Sequence, residues 1–425
     1  MMSDEEKILN YIDNNKEKII TFLKELIRRP SMVGQESQIQ NFIAKKMQDL
    51  NMTIDLWYPK VDDLIKSNLT ILDKKLYEVG YENRPILVGI LKGNGNGKSL
   101  ILNGHVDVVS PEPLSEWKQD PWSAIESEGK IYGRGAADMK GGIAAMIMAV
   151  ESISKSGIKL NGDILVESVI DEERFDGAGT LACVLKGYKA DAALLLEPSD
   201  LDFIVAHTGI ARFKVKVIGK AAHAVRKHEG ICAIEKIIKI YNAIRDLEVY
   251  REGKSEHPFI SHSYFKTISP IVIGTLNAGI WSSTVADKAE LTCRLSVMPQ
   301  ESVDKVFNEF LEQIKYASLI DPWLRSHIPE VEIMSGFEGA EIDVDHAIVK
   351  TAERSFIKVM GNKPKYRGMP GGADARLLTN HADTPTLHFG PGVMDTIHCP
   401  NEYTEIQQVL DVTKVTALTI LDWCK

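Results

Sequence analysis

Apolar positions recur along the chain at spacings that change with position. In the first segment they fall three and four residues apart, as at Ile19, Leu23 and Leu26, which predicts a helix that ends before Pro30. Further on, short apolar runs bounded by turns predict buried strands at 86–91, 100–102, 163–170 and 192–196. Helical runs lie between these strands, and this alternation predicts an α/β fold.

The pattern changes near residue 206. Residues 213–218 alternate apolar and basic side chains, as a half-exposed strand does. The elements predicted after it are a helix at 231–247, strands at 271–276 and 289–297, a helix at 303–316 and a strand at 330–334. This β-α-β-β-α-β order predicts a small inserted α+β domain of the ferredoxin-like kind. We therefore expect one domain formed by residues 1–206 and 338–425, with an inserted domain at 207–337.

The glycine-rich segment GNGNGKS at residues 93–99 invites comparison with a phosphate-binding loop. Its spacing from Gly93 to the Gly97-Lys98 pair is one residue short of a Walker A loop, and a strand rather than a helix follows. We therefore expect a tight hairpin turn here, between the strands at 86–91 and 100–102, and no nucleotide site.

Composition narrows the class of protein. With 425 residues, 44% hydrophobic and 26% charged, the chain is long enough for two or three domains at roughly 100–200 residues each. A net charge of −9 argues against nucleic-acid binding through a basic face. The five cysteines are far apart and odd in number, which argues against a disulfide framework. No apolar stretch approaches about 18 residues and the first residues are acidic, so we expect a cytoplasmic protein that does not bind membranes.

Candidate chemistry lies where the predicted strands end. His105 and Asp107 follow one strand, Glu172 and Glu173 follow another, and Glu197 follows a third. Asp138 lies in a glycine-dense turn before a helix, and His398 precedes the last helix. Taken singly, each has an ordinary alternative: a structural histidine, a helix cap or a solvated acidic loop.

Together these residues indicate a metal centre, because functional groups of open α/β sheets gather at the carboxyl ends of the strands. Two histidines with three carboxylates suit paired divalent ions such as zinc, with cobalt or manganese possible. One carboxylate would bridge the ions. Asp107 could fix the tautomer of His105, and Glu172 would be left free as a base.

Five motifs, taken in their order along the chain, resemble those of one family. They are GHVDVV, GRGAADMKGG, DEE followed by GAGT, LEPS and HCPNEY. This family comprises the dinuclear-zinc amidohydrolases and peptidases, including acetylornithine deacetylase, succinyl-diaminopimelate desuccinylase, aminoacylase and carboxypeptidase G. The resemblance covers essentially the whole chain and is nearest to the acetylornithine deacetylase-like branch. It implies a catalytic domain with a mixed central sheet flanked by helices, and it implies that the inserted domain is a lid that also forms a dimer.

The resemblance also implies roles for single residues. Two Zn²⁺ ions per subunit, with Co²⁺ or Mn²⁺ as possible substitutes, would be bound by His105 and Glu197, by Glu173 and His398, and by Asp138 as the bridge. Asp107 would orient His105, and Glu172 would be the general base. In the lid segment GKAAHA, His223 would polarise the scissile carbonyl, and in dimeric members of the family it does so from the partner subunit.

Substrate recognition departs from the family pattern. Many relatives carry an arginine three residues before a lid proline to hold a carboxylate; here Ser296 has that place and Arg294 lies two residues earlier. Arg376, in GGADAR, is a second candidate for a substrate carboxylate, and a structural ion pair is an equal alternative.

We expect a metal-dependent hydrolase that removes an acyl group from a small N-acyl amino acid or related amine, as a homodimer through the lid. Dipeptidase activity and deformylation of an N-formyl amine stay open. A non-catalytic metal-binding relative would be expected to lack the base or a ligand, and neither is missing here.

Overall fold

The computed structural model describes residues 2–425. Its helices are α1 (Asp4–Asn14), α2 (Lys16–Ile27), α3 (Ser37–Gln48), α4 (Val61–Lys66), α5 (Leu76–Val79), α6 (Gly141–Lys155), α7 (Glu172–Phe175), α8 (Ala178–Leu185), α9 (Ala233–Lys254), α10 (Val303–Leu319), α11 (Ala347–Met360), α12 (Ala375–His381) and α13 (Ile406–Trp423). Its strands are β1 (Thr53–Trp57), β2 (Ile86–Leu91), β3 (Leu100–His105), β4 (Ile125–Ser127), β5 (Lys130–Tyr132), β6 (Ile164–Val169), β7 (Ala192–Leu195), β8 (Phe203–His207), β9 (Gly209–Ile218), β10 (Ile271–Ala278), β11 (Lys288–Val297), β12 (Glu330–Phe337), β13 (Ala340–Glu341), β14 (Tyr366–Met369), β15 (Thr386–His388) and β16 (Tyr403–Glu405).

A nine-stranded mixed sheet forms the centre of the molecule. Its order is β1-β2-β6-β3-β7-β15-β8-β13, with β14 paired to β8. The neighbours β6, β3 and β7 run parallel, so their carboxyl ends meet at one edge of the sheet. Residues on α6, α11 and α13 pack with the sheet into one apolar core, which confirms the α/β architecture with flanking helices.

The hairpin predicted between 86–91 and 100–102 is wrong. Both strands form, but β6 inserts between them and pairs antiparallel with β2 and parallel with β3. The glycine-rich turn instead lies on the turn that precedes β6, where Asn94 and Gly95 donate backbone hydrogen bonds to the carbonyls of Leu160 and Asn161. A side chain at Gly97 or Gly162 would collide with backbone atoms of the facing turn. The glycines therefore permit two turns to pack together.

A separate four-stranded antiparallel sheet has the order β10-β11-β9-β12. With α9 and α10 it has the predicted β-α-β-β-α-β sequence and a ferredoxin-like strand order. We call residues 209–337 the four-stranded unit. Its apolar core, which includes Phe213, Ile240, Leu291 and Phe310, is distinct from the core of the large sheet.

Residues 58–83 contain the short helices α4 and α5. This segment also contacts the four-stranded unit, because Ile71 and Gly336 exchange two backbone hydrogen bonds of 2.9 and 2.8 Å. Within residues 2–425, no helix combines the length and the apolar character needed to cross a bilayer.

Candidate metal centre

The predicted cluster assembles at the edge where the parallel strands end. His105 is the last residue of β3, Glu172 and Glu173 begin α7 just after β6, and Glu197 lies two residues beyond β7. Gly142, in the first turn of α6, allows that helix to approach this edge, because a Cβ there would lie 2.0 Å from the carbonyl oxygen of Leu196. The edge is therefore closely packed on the side of α6.

Asp138 lies between the two histidines. Its Oδ1 is 3.1 Å from Nε2 of His105, and its Oδ2 is 3.3 Å from Nε2 of His398. Glu197 is 3.2 Å from the same nitrogen of His105, and Glu173 is 3.0 Å from Nε2 of His398. Each histidine thus faces one terminal carboxylate and one oxygen of a shared aspartate.

Asp107 supports this arrangement from behind. Nδ1 of His105 is 2.9 Å from the backbone carbonyl of Asp107 and 3.5 Å from its carboxylate. An Nδ1–H that donates there leaves Nε2 as the nitrogen that faces Asp138. The same carboxylate accepts backbone hydrogen bonds from Glu172 and Glu173, at 3.4 and 3.1 Å, and so fixes the start of α7.

Glu172 differs from the other carboxylates of the cluster. Glu173 and Glu197 each pair with a histidine, whereas the Glu172 side chain forms no hydrogen bond or ion pair within residues 2–425. It nevertheless lines the same cavity as they do. Its carboxylate is therefore available to a molecule bound there.

The turn that carries Asp138 is organised by a buried glutamate. Glu402 accepts backbone hydrogen bonds from Gly135, Ala137 and Asp138 at 2.9–3.1 Å, and it pairs with Arg134 at 2.6 Å. Strand β16, which pairs with β5, brings Glu402 to this position. The glycine-dense sequence therefore forms a tight cradle around a carboxylate supplied by a distant part of the chain.

Burial and mutual repulsion dominate the electrostatics of the cluster. Burial is the largest cause that raises the pKa of Glu173 to about 7, of Glu197 to about 8 and of Glu172 well above its usual range. Asp138 is also desolvated, but its hydrogen bonds to both histidines hold its pKa below the usual range. Hydrogen bonds to Asp138 and Glu173 raise the pKa of His398 to about 10.

This donor set fits divalent cations. Single ligand atoms of His105, Asp138 and Glu173 lie within 4.8 Å of one another, as do those of His105, Glu172 and Glu197. Crowded, desolvated carboxylates need a positive charge to remain ionised at neutral pH, and carboxylate oxygens with imidazole nitrogens are ligands that zinc, cobalt and manganese accept. The structure therefore contains a candidate metal site.

A cavity of about 340 Å³ opens beside the cluster. Its other walls are mainly apolar, formed by Pro198, Phe265, Met369, Pro370, Met394 and Ile397. No lysine or arginine of residues 2–425 lines it. His388 also lines it and is tied down through Nε2, which lies 3.1 Å from the carbonyls of Glu197 and Pro198. Burial lowers the pKa of His388 to about 4, so this side chain is neutral at physiological pH.

A second, smaller cavity of about 190 Å³ lies beside the same cluster and contains two arginines. Arg212 binds both carboxylate oxygens of Asp176, at 2.6 and 2.8 Å. Arg376 is buried, donates to the backbone carbonyl of Asp176 and stacks on Phe337 at 3.8 Å. Both guanidinium groups thus have protein partners already.

Two residues expected at the site lie away from it. Arg294 lines neither cavity. Its cross-strand neighbour Arg212 lines the smaller one. His223 is exposed and lines neither cavity, and its backbone forms an isolated β-bridge to Thr284 of the same unit. The remaining expected residues converge on one cluster or its border.

Four residues of the site lacked a predicted role: Phe265, His388, Glu402 and Arg212. Glu402 stands in the HCPNEY motif, which offered a signal. Arg212 alternates with apolar residues on β9 like its basic neighbours, so nothing in the sequence distinguishes it. Phe265 lies in a segment without periodicity, and only the folded chain brings it to the cavity.

Comparison with known proteins agrees with this architecture. The family model described as "Peptidase family M20/M25/M40" matches residues 101–422. N-formyl-4-amino-5-aminomethyl-2-methylpyrimidine deformylases of Bacillus subtilis and Halalkalibacterium halodurans are 31% and 28% identical, covering 97% and 99% of this chain and 96% and 97% of their own. Acetylornithine deacetylase of Proteus mirabilis is 26% identical over 78% of this chain and 81% of its own. The crystal structure of human carnosine dipeptidase 1 matches with a TM-score of 0.74 at 17% identity, covering 100% of this chain and 99% of its own.

Proposed function

Because the chain belongs to the peptidase family M20/M25/M40, whose members hydrolyse C–N bonds, we propose that it is a metal-dependent deformylase. Its substrate would be a small N-formyl amine that carries a flat, uncharged ring. This is the alternative left open by the sequence, and it now takes precedence over the acetylornithine deacetylase-like activity expected first.

The cavity beside the cluster carries this proposal. Apart from the carboxylates and histidines its walls are mainly apolar, and no lysine or arginine of the described chain lines it. An N-acyl amino acid would bring a carboxylate into this space, and a buried carboxylate without a partner is costly. A neutral ring buries apolar surface there at no such cost.

The named relatives support the same choice. The two deformylases match over nearly the full length of both chains, and the name of each specifies a formyl group on an aminomethylpyrimidine. The acetylornithine deacetylase matches at lower identity and over a smaller share of the chain. Such a substrate is a formyl amide attached to a flat heteroaromatic ring, which suits the apolar cavity.

We assign the metal ligands as the family resemblance implies. His105 and Glu197 would hold one ion, Glu173 and His398 the other, and Asp138 would bridge them, an assignment supported by the distances of Asp138 to both histidines. Zinc is the expected metal, with cobalt or manganese as substitutes. Two such ions would supply an acidified water and would polarise the amide oxygen.

The protein's own groups would then move the proton. The free carboxylate of Glu172 accepts a proton from the attacking water and returns it to the amine nitrogen as the C–N bond breaks. Asp107 keeps His105 in the required tautomer and holds α7, and therefore Glu172, in position. The amine leaves with the ring, and formate is the second product.

A second candidate is hydrolysis of an N-acyl amino acid or dipeptide. The observation that favours it is the smaller cavity, where Arg212 and Arg376 lie beside the cluster. The side chain of Arg212 is 37% exposed, so it could accept a second carboxylate in addition to Asp176. Arg294 would act only if the two units moved relative to each other.

We also propose that residues 1–206 with 338–425 form the catalytic domain and that residues 207–337 form a lid through which the protein dimerises. The separate cores of the two units support the division. The edge strand β10 and the following loop expose Val272, Leu276, Ile280 and Trp281, which is typical of a surface covered in an oligomer. His223 lies next to this loop through its bridge to Thr284.

The test is a hydrolysis panel on protein loaded with zinc or cobalt. It compares an N-formyl-aminomethylpyrimidine with N-acetylornithine, other N-acyl amino acids and dipeptides, and it measures formate and free amine, with a chelator as the control. We expect chelator-sensitive formate release with the highest kcat/KM on the formyl substrate. Higher kcat/KM on an N-acyl amino acid would overturn the deformylase in favour of the second candidate, and no turnover by metal-loaded protein would overturn both.

A further inference from the structure

The connection between α9 and β10 reaches from the four-stranded unit to the large sheet. We call residues 255–270 the aromatic loop, after Phe259, Tyr264 and Phe265. In an isolated ferredoxin-like unit a short turn would suffice to join these two elements, so the additional length calls for a structural reason. The loop's contacts supply one.

The aromatic loop is fixed at both ends. Near its start, Gly368 of β14 donates a 2.8 Å backbone hydrogen bond to Phe259, and the buried ring of His257 lies 3.1 Å from Glu341. At its end, Ile268 and Ser269 each donate a 2.8 Å backbone hydrogen bond to Glu252 of α9. The loop is therefore held against the large sheet and against its own helix.

Ile260 is the apolar anchor of the loop. It is fully buried, and a Cβ at Gly368 would lie 2.3 Å from its side chain. The absence of a side chain at Gly368 thus makes room for Ile260. The chain then turns at Ser261, whose carbonyl accepts hydrogen bonds from Tyr264 and Phe265 at 3.0 and 3.1 Å. This turn directs the two neighbouring aromatic residues to different surroundings.

Phe265 is half-buried. It packs on the small cluster of Ala206, Ile260, Ile268 and Met298, and it also forms part of the wall of the cavity beside the metal ligands. Tyr264, one residue earlier, is 51% exposed and lines no part of that cavity. The loop therefore presents one aromatic ring to the cavity and leaves its neighbour in solvent.

We propose that Phe265 is a specificity-determining residue that selects substrates whose amine carries an aromatic ring, by stacking on that ring. The inference rests on the proposed function and adds the residue that selects the ring and the contact by which it does so. The carboxylates that line the cavity belong to the cluster of candidate metal ligands, so the amide would be bound there and the ring would extend toward Phe265, Met369 and Met394. Aromatic pairs and sulfur–aromatic contacts both favour a flat ring over an alkyl chain.

Two matched substrates and three variants test this proposal. N-formylbenzylamine carries a ring on the carbon next to nitrogen, and N-formylbutylamine has an alkyl chain in its place. Phe265→Leu keeps an apolar side chain without a ring, Phe265→Tyr keeps the ring, and Tyr264→Leu is the control on the same turn. We expect Phe265→Leu to raise KM for the benzyl substrate about three- to tenfold, the range of aromatic pair energies.

The other measurements should stay unchanged. Because stacking acts equally in the ground state and the transition state, kcat should be retained, and KM for the butyl substrate should not move. Phe265→Tyr and Tyr264→Leu should behave as wild type. An equal loss on both substrates, or no loss on either, would overturn the proposal and leave Phe265 a structural residue.

Binding of benzylamine, the product amine, gives a readout that does not depend on turnover. Calorimetry on metal-loaded protein should show weaker benzylamine binding in Phe265→Leu and no change in Tyr264→Leu. If the wild type hydrolyses no N-formyl amine but this binding difference is present, the deformylase proposal fails and the proposal that Phe265 binds an aromatic ring stands. If the wild type deformylates both substrates and the variants bind benzylamine equally, the proposal that Phe265 binds an aromatic ring fails and the deformylase proposal stands.

Discussion

Glu172 and Glu173 are adjacent in the chain, yet the structure gives them different surroundings. The side chain of Glu173 pairs with His398, whereas the side chain of Glu172 forms no hydrogen bond within residues 2–425. We predict that Glu172→Gln abolishes turnover while the protein still binds its metal, because only the proton acceptor is removed. Activity assays together with metal analysis after dialysis check this prediction.

Glu173→Gln is the matched comparison. It removes a proposed ligand rather than the base, so metal content should fall together with activity. If Glu172→Gln kept substantial activity, another group would have to accept the proton. If both variants lost metal equally, the different roles assigned to these neighbours would be wrong.

Glu167 is a buried acid in the middle of β6, away from the metal ligands. Burial raises its pKa from 4.5 to about 7, and one of its oxygens has no partner among the described residues. Between these pH values the folded protein retains a proton that the unfolded chain has released. The contribution of protonated Glu167 to the free energy of unfolding is therefore complete below pH 4.5 and is lost as the pH rises through 7. The loss is at most about 3 kcal/mol.

We predict that Glu167→Gln, which cannot ionise, removes this part of the pH dependence. The unfolding free energy of the variant relative to wild type should increase from pH 5 to pH 8, as measured by denaturant titration at constant metal content. The exposed Glu128→Gln serves as the control and should follow wild type at both pH values. A constant difference between Glu167→Gln and wild type at the two pH values would contradict the prediction.

At the scale of elements, the turn at residues 133–142 depends on a carboxylate from another part of the chain. Glu402 receives three backbone N–H groups of this turn and the guanidinium of Arg134. In glutamine an NH₂ group replaces one of the two carboxylate oxygens, and this group cannot accept a hydrogen bond from these donors. We predict that Glu402→Gln displaces Asp138 and weakens metal binding about 10- to 100-fold, as loss of supporting contacts does at other metal sites.

Competition with a metal-binding dye measures that affinity directly. Glu405→Gln, three residues further along the chain in β16 and outside the turn, is the control and should bind metal as wild type does. Unchanged affinity in Glu402→Gln would show that the glycine backbone alone holds Asp138 in place.

The elements with strong periodicity could be predicted from the sequence, and their pairing could not. The strands 86–91 and 100–102 form as predicted, because a continuous apolar run favours a buried strand wherever it pairs. Their partner, β6, is more than 60 residues from the first of them, and a local turn carries no information about it. The same holds for β16, which brings Glu402 to the turn at 133–142.

The candidate site divides in the same way. His105, Glu173 and Glu197 could be predicted because they lie at or just beyond the carboxyl ends of strands that are parallel neighbours, and parallel strands bring their carboxyl ends together. Phe265 and Arg212 could not, because their positions depend on how the four-stranded unit packs on the large sheet. The pattern of a sequence predicts which face of a single helix or strand is buried. The residues that line this site come from several elements, so such a pattern does not predict them.

At the scale of the whole molecule, His223 is the residue whose place least fits a single chain. It is exposed, lies on the four-stranded unit, and lines neither cavity beside the metal ligands. The surface around it includes the exposed Ile280 and Trp281. An isologous dimer would bring this surface of one subunit to the other. We therefore predict that His223, if it has the role that the resemblance implies, acts on the active site of the partner subunit.

Mixing two inactive variants distinguishes this arrangement from action within one chain. His223→Ala and Glu172→Gln should each be nearly inactive. Unfolded together and refolded, they should form mixed dimers in which one active site combines an intact Glu172 with an intact His223 from the other chain. We expect recovery of about a quarter of wild-type activity, since half of the dimers would be mixed and one of their two sites complete.

If His223 acts within its own chain, one subunit of each mixed dimer lacks its histidine and the other lacks its base, so no activity returns. Each variant refolded alone is the control, and a monomeric mass in solution would exclude the cross-subunit arrangement altogether.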